Sequence, residues 1–123
     1  VVVTNKDMGV VFYHDFPLTQ GLNAFDTVKA KYTHLAKRWR ETMQSDKKIL
    51  FVRHYASMSE GLALRLAIHE AYPQLQYDIL VVNDGVAVDW GISNLINATI
   101  NPTDADWRGD MAGWTRIFRK LGL

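Results

Sequence analysis

Four histidines, thirteen carboxylate side chains and no cysteine set the range of chemistry open to this chain of 123 residues. Three apolar runs end in polar side chains that can do chemistry. "VFYHDFP" leads to His14 and Asp15, "KILFVRHY" to Arg53 and His54, and "ILVVNDG" to Asn83 and Asp84. An imidazole suits proton transfer near neutral pH, which makes His14, with Asp15 or His54, the candidate acid–base group. The planar guanidinium of Arg53 suits a carboxylate or phosphate. Asn83 and Asp84 add an amide and a carboxylate. Trp107 and Arg108, in "DADWRGD", are candidates to cover and contact the same ligand. Each residue also has a plainer reading. Strands end in polar residues whatever their function, and "NDG" is a turn sequence. On an extended chain, neighbours such as His14 and Asp15 point to opposite faces. Convergence favours a site. If the three runs are parallel strands, their tips meet at one sheet edge, where open α/β sheets bind ligands. A helix starting after His54 would add its positive N-terminal dipole there and favour an anion.

Other chemistries fit less well. Ser57 and Ser59 lack the G-x-S-x-G elbow of a serine nucleophile. Ser57 with Glu60 has instead the spacing of a capping box. His14, His34, His54 and His69 show no paired spacing on one helix; only a set of His14, His54 and a carboxylate would suit a metal. Neither G-x-G-x-x-G nor a Walker sequence occurs, so no cofactor and no metal are expected. Lys plus Arg number 14 against 13 Asp plus Glu, a net charge of +1 that gives no general pull toward nucleic acid or anionic membrane. The first helix below has a basic face, which a solvated surface explains equally well. No apolar run approaches the roughly 20 residues of a membrane helix. Absence of cysteine fits a reducing, cytoplasmic compartment.

The elements that position these residues follow from periodicity. "VVVT" reads as a short strand or chain end, "KDMG" as a turn, and "VVFYHDF" as a strand stopped by Pro17. Phe25, Val28, Tyr32, Leu35, Trp39 and Met43 recur every three or four residues, predicting a long helix with Asn23 as its N-cap. Ile49–Val52 and Ile79–Val82 are unbroken apolar runs, as in strands buried on both faces. A Leu- and Ala-rich helix lies between them and ends before Pro73. "VAVDWGISN" is looser, "LINATIN" a short strand, and a last helix runs from about Asp110 with Met111, Trp114, Ile117 or Phe118, and Leu121 on its apolar stripe. Gly122 is its C-cap. The order β-α-β-α-β-β-α predicts one α/β domain over residues 1–123. It would have three layers, a mainly parallel sheet of four or five strands, and about three helices.

Several phrases together, "YHDFP", "KYTHLAKRWRE", "KILFVRH", "ILVVND" and "DWRGDMAGWTRIFRKLGL", resemble the later part of a bacterial family. That family is named as papain-like cysteine peptidases and is otherwise of unknown function. The resemblance runs from about Val10 to the last residue. It implies an N-terminal segment in the relatives, carrying a cysteine and a Phe-Asp-Trp motif, neither of which occurs here. It also implies that His14 corresponds to the family's supposed catalytic histidine. With no cysteine the chain is not a cysteine peptidase as it stands.

Three readings remain at this point. The first is a domain binding a small polar or anionic ligand at its strand ends, a shortened relative of that family. The second is a hydrolase or transferase using His14 with Asp15 or His54. The third is a homodimeric scaffold or interaction module.

Overall fold

The structure, a computed structural model, describes residues 2–102 and 109–123. Contacts group the chain into two compact units, Val1–Thr42 and Met43–Leu123.

In the first unit β1 (Val3–Asn5) pairs antiparallel with β2 (Val10–Phe12). Residues 6–9 form the turn between them, a connection far too short for a parallel crossover. The expectation that the run before His14 joins a parallel sheet is therefore corrected. β2 belongs to a separate two-stranded sheet and ends at Phe12, before His14 is reached. Val10 and Val11 remain 41% and 38% exposed, unlike the strands of a covered sheet. A 3-10 turn at Gly21–Ala24 leads into α1 (Phe25–Met43). Asn23 lies inside that turn and does not cap α1 as its residue type suggested. Phe16, Ala24 and Val28 are buried together, with Val3 and Phe12 against them. The periodic stripe of α1 is real, but Phe25, Tyr32, Leu35 and Trp39 on it are each more than one-third exposed.

The second unit contains β3 (Ile49–His54), α2 (Met58–Ala71), β4 (Tyr77–Asp84), β5 (Leu95–Ile100) and α3 (Met111–Lys120). The strands form a parallel sheet in the order β3-β4-β5, with Ile49 opposite Tyr77 and Ile79 opposite Leu95. It has three strands among the described residues, not the four or five expected, because β2 is elsewhere. Helices cover both faces. Side chains alternate along a strand, so Ile79 and Val81 meet Ile68 and Leu64 of α2, while Leu80 and Val82 meet Ile117 of α3. β4 is the core: Ile79, Leu80, Val81 and Val82 are fully buried. The apolar run Ile49–Val52 has a different fate. β3 is an edge strand, and Val52 is 47% exposed.

The local signals explain the helix ends. Ser57 accepts the Glu60 N–H while Glu60 accepts the Ser57 N–H at 2.8 Å, a complete capping box. Asp110 caps α3 by accepting the Gly113 N–H at 2.8 Å. At its far end the Leu123 N–H bonds the Phe118 carbonyl and the Gly122 N–H the Arg119 carbonyl, a Schellman closure. Gly61, a weak residue for a first helical turn, is needed for packing. A Cβ there would lie 3.1 Å from Leu95, so α2 approaches the sheet through this gap. The β4–β5 connection, residues 85–94, contains no helix. Trp90 and Ile92 from it pack into the α2-side core and fill the place that a crossover helix would otherwise cover.

Candidate functional site

The carboxyl edge of the parallel sheet carries four of the expected site residues, and strand alternation sorts them. Arg53 and Asn83 share the parity of Phe51 and Val81, hence the α2 face. His54 and Asp84 share that of Leu80 and Val82, hence the α3 face.

On the α2 side, the Asn83 amide is held by the chain itself. Its Oδ1 accepts the Ala56 N–H at 3.1 Å, and its Nδ2 donates to the Ala56 carbonyl at 2.9 Å and to Asn97 Oδ1 at 3.1 Å. Asn97 in turn donates to the Val88 carbonyl at 3.0 Å. Asn83 thus extends the strand pairing by one side chain, fixing the β3–α2 corner and, through Asn97, the loop after β4. The α2 N-terminus beside it holds its own carboxylate. Hydrogen bonds from the Ser57 backbone and hydroxyl, and then the field of Arg53, hold Glu60 below the usual carboxylate range. The anion-attracting end of α2 is therefore already answered by Glu60.

On the α3 side, His54, Tyr55 and Asp84 form one assembly. Tyr55 has φ of +55°, a left-handed conformation uncommon for a bulky residue. Its N–H stays on the Val82 carbonyl at 3.0 Å, so the strand pairing runs one residue past β3 before the chain turns. The turn lays the Tyr55 ring on the His54 ring, centroids 3.8 Å apart, and lets its hydroxyl donate to Asp84 Oδ2 at 2.8 Å. Trp114 of α3 meets the His54 ring edge-on at 6.2 Å and stacks on Phe118 at 5.8 Å. The result is a partly exposed aromatic surface bordered by a carboxylate and an imidazole. It can accept hydrogen bonds at Asp84, exchange a proton at His54, and cover a flat or apolar group.

His14 and Asp15 lie in the other unit. Asp15 accepts from Lys31 Nζ, in an ion pair, and from Tyr32 Oη at 2.9 Å. The Lys31 hydrogen bond first, and then that of Tyr32, hold the Asp15 carboxyl below its ordinary range. The same contact raises Lys31 and Tyr32. Phe12 packs edge-on against Tyr32 at 5.1 Å, so Asp15 ties the segment after β2 to α1. His14 contacts the Tyr13 ring at 6.4 Å. The Asp15 carboxylate is oriented by Lys31 and Tyr32, which gives no support to a His14–Asp15 dyad. Trp107 and Arg108 lie outside the described residues. Among the described residues no group of three His, Asp or Glu side chains is placed to hold a metal ion, and no helix is long and apolar enough to cross a membrane.

No family model, curated protein or solved structure matches the chain.

Sequence reasoning missed Tyr55, Trp114 and Asn97. Trp114 lay on a helix stripe and read as core, although its ring edge reaches His54. Nothing in "RHYAS" marks a left-handed tyrosine. For Asn97, an asparagine amid the apolar residues of "LINATI" was the available signal, because a polar side chain on a covered face needs a partner.

Among the described residues three carboxyls are held below their ordinary range and contribute to the acid response. Glu60 is lowered as above, and Asp110 is lowered by the Asn101 N–H at 3.0 Å and then by that of Gly113. Like Asp15, both bind a proton more weakly folded than unfolded. Their stabilisation is present above the ordinary carboxylate range and is lost as pH falls through the lower folded values. Urea midpoints are expected to hold between about pH 7 and 5 and to drop below about pH 4. A midpoint unchanged at pH 3 would show that these contacts add nothing.

Proposed function

We propose that the Met43–Leu123 unit binds a small polar ligand at the carboxyl edge of its sheet, on the face shared by His54, Tyr55, Asp84 and Trp114. One observation carries this. β3 ends opposite Val82, two residues before its parallel neighbour β4 ends at Asp84, and the residue that follows β3 is held left-handed so that its ring covers His54 and its hydroxyl orients Asp84. A non-glycine residue in that conformation at a strand end is the kind of local strain that clusters at ligand sites. Carboxyl edges of open α/β sheets are where such ligands bind.

The chemistry narrows the ligand. Among the described residues only one Asp84 carboxylate oxygen is engaged, which leaves the second for a donor such as a hydroxyl or amino group. The rings of Tyr55 and Trp114 suit a flat or apolar face. A sugar, or a flat ring carrying hydroxyls, fits both better than a simple anion. Arg53, the group best suited to an anion, belongs to the opposite face. Under this reading the chain is a relative of the papain-like family working as a binding domain without the cysteine.

Adenosine, a diol joined to a flat ring, is the probe. By isothermal titration calorimetry the protein is expected to bind it with a Kd in the micromolar to millimolar range. Asp84→Asn keeps an acceptor for Tyr55 but loses the charge, and is expected to weaken binding about tenfold or more, roughly 1.4 kcal/mol. His54→Ala is expected to weaken it as well. Both variants should melt within a few degrees of the parent, because both side chains are exposed. Unchanged affinity in both variants, or no saturable heat with adenosine, would count against the site.

A further inference from the structure

A second feature of the Met43–Leu123 unit lies away from the carboxyl edge. A groove of about 340 Å³ is bounded by four consecutive β5 residues, Ile96 to Thr99, by Arg116, Ile117, Lys120 and Leu121 of α3, and by Ala87 of the β4–β5 connection. Successive residues of a strand point to opposite faces. A cavity touching four in a row therefore follows the strand's edge and is not a pocket over one face. The α3 residues fall on one stripe, at intervals of one, three and one positions, so the helix forms the opposite wall along the same direction.

The edge is open. β5 pairs with β4 on one side, and no strand lies on its other side among the described residues. The helical wall is cationic. α3 contains Arg116, Arg119 and Lys120 and no carboxylate. No ion pair to any of the three is formed among the described residues. Arg116 and Lys120, one turn apart, face the groove, while Ile96, Ala98, Ile117 and Leu121 give it an apolar floor. Arg116 acts on Asp110 only through its field.

We propose that this groove takes an extended acidic peptide segment of a partner protein, added as a strand to β5. Main-chain bonds to the open edge would supply affinity, as in other strand additions. Side chains on one side of the peptide would meet the apolar floor, and a carboxylate would meet Arg116 or Lys120. The four half-buried edge positions accommodate about four peptide residues, roughly 13 Å at 3.3 Å each. A second copy of the chain is disfavoured by charge. An antiparallel β5–β5 pairing about a two-fold axis would set the two α3 helices side by side on one face, cation against cation.

The test uses a soluble hexapeptide with blocked ends, alternating Val and Glu, and its Val and Lys counterpart, followed by fluorescence anisotropy. The acidic peptide is expected to bind about tenfold or more tightly than the basic one. Arg116→Glu with Lys120→Glu, both at exposed positions, is expected to reverse that preference. Methylating alternate peptide nitrogens should abolish binding, and hydrogen exchange should slow at Ile96–Thr99. Several results would overturn the proposal. They are no saturable binding of the acidic peptide up to about 1 mM, a preference unaltered by the charge reversal, equal binding of the methylated peptide, and a peptide-independent dimer that protects β5.

Discussion

Leu80→Ala is expected to remove about 2–5 kcal/mol from the stability of the Met43–Leu123 unit. Leu80 is completely buried in the central strand, with Ile117 of α3 over it and Val82 and Ile100 beside it. Truncation removes several buried methyl and methylene groups, each worth about 0.8 kcal/mol on transfer, and leaves a cavity. The strand is held between two neighbours and between two helix-facing clusters, so it cannot collapse into that space. Against a typical total of about 5–15 kcal/mol, the loss is large. Urea denaturation followed by tryptophan fluorescence measures it as a shift in midpoint with the slope retained. Val52→Ala is the control. It changes a similar apolar side chain on the edge strand β3, where 47% of the residue is exposed. Its cost should be below about 1 kcal/mol. Equal losses at the two positions would contradict the placement of β4 at the centre of the sheet.

Asn83→Ala is expected to destabilise the same unit by about 2–4 kcal/mol, far more than a surface asparagine would. The substitution leaves the N–H and carbonyl of buried Ala56 without the side-chain partners they have at 3.1 and 2.9 Å, and removes the donor to Asn97. Each buried polar group left unpaired costs about 1–3 kcal/mol. Asn83→Asp is the sharper variant. It keeps the acceptor for the Ala56 N–H but places carboxylate oxygen against the Ala56 carbonyl and Asn97 Oδ1. It should be at least as destabilising at pH 7 and recover part of its stability on acidification, when a protonated carboxyl can donate. Asn83 was an expected ligand contact. Stability lost in both variants assigns it to the β3–α2 corner instead. Variants that melt like the parent but lose adenosine would return it to the ligand.

Periodicity and capping were legible because they are local. The alternation of apolar runs and amphipathic stretches placed β3, α2, β4, β5 and α3 to within a few residues. Ser57 with Glu60 and Asp110 before "MAGW" named two helix starts through their own hydrogen bonds. Pairing was less legible, since the run "VVF" before His14 has the same composition in either a hairpin or a central strand. The deciding signal was the length of "KDMG", which permits only an antiparallel partner. The length of α1 was legible too, but its apolar spacing did not foretell that Phe25 and Trp39 remain half exposed.

The site was half legible for the same reason. Sequence gave the tips of β3 and β4 and the side chains on them. It did not show which tip residues the chain would occupy itself, because Asn83, Asp15 and Glu60 find partners 27, 16 and 3 positions away. Nor did it show the left-handed Tyr55, which depends on the strand pairing continuing to the Val82 carbonyl while α2 turns away. Among the described residues, the carboxyl edge retains the exposed His54 and Asp84 on the α3 face and the exposed Arg53 on the α2 face.

Chemical-shift mapping with adenosine on the isotopically labelled chain tests that face most directly. Saturable shifts are expected at the Trp114 indole, the His54 ring and the backbone of Tyr55 and Asp84, with those of Arg53 and Asn83 smaller. Shifts centred instead on Arg53 and the α2 N-terminus, or scattered without saturation, would contradict the account.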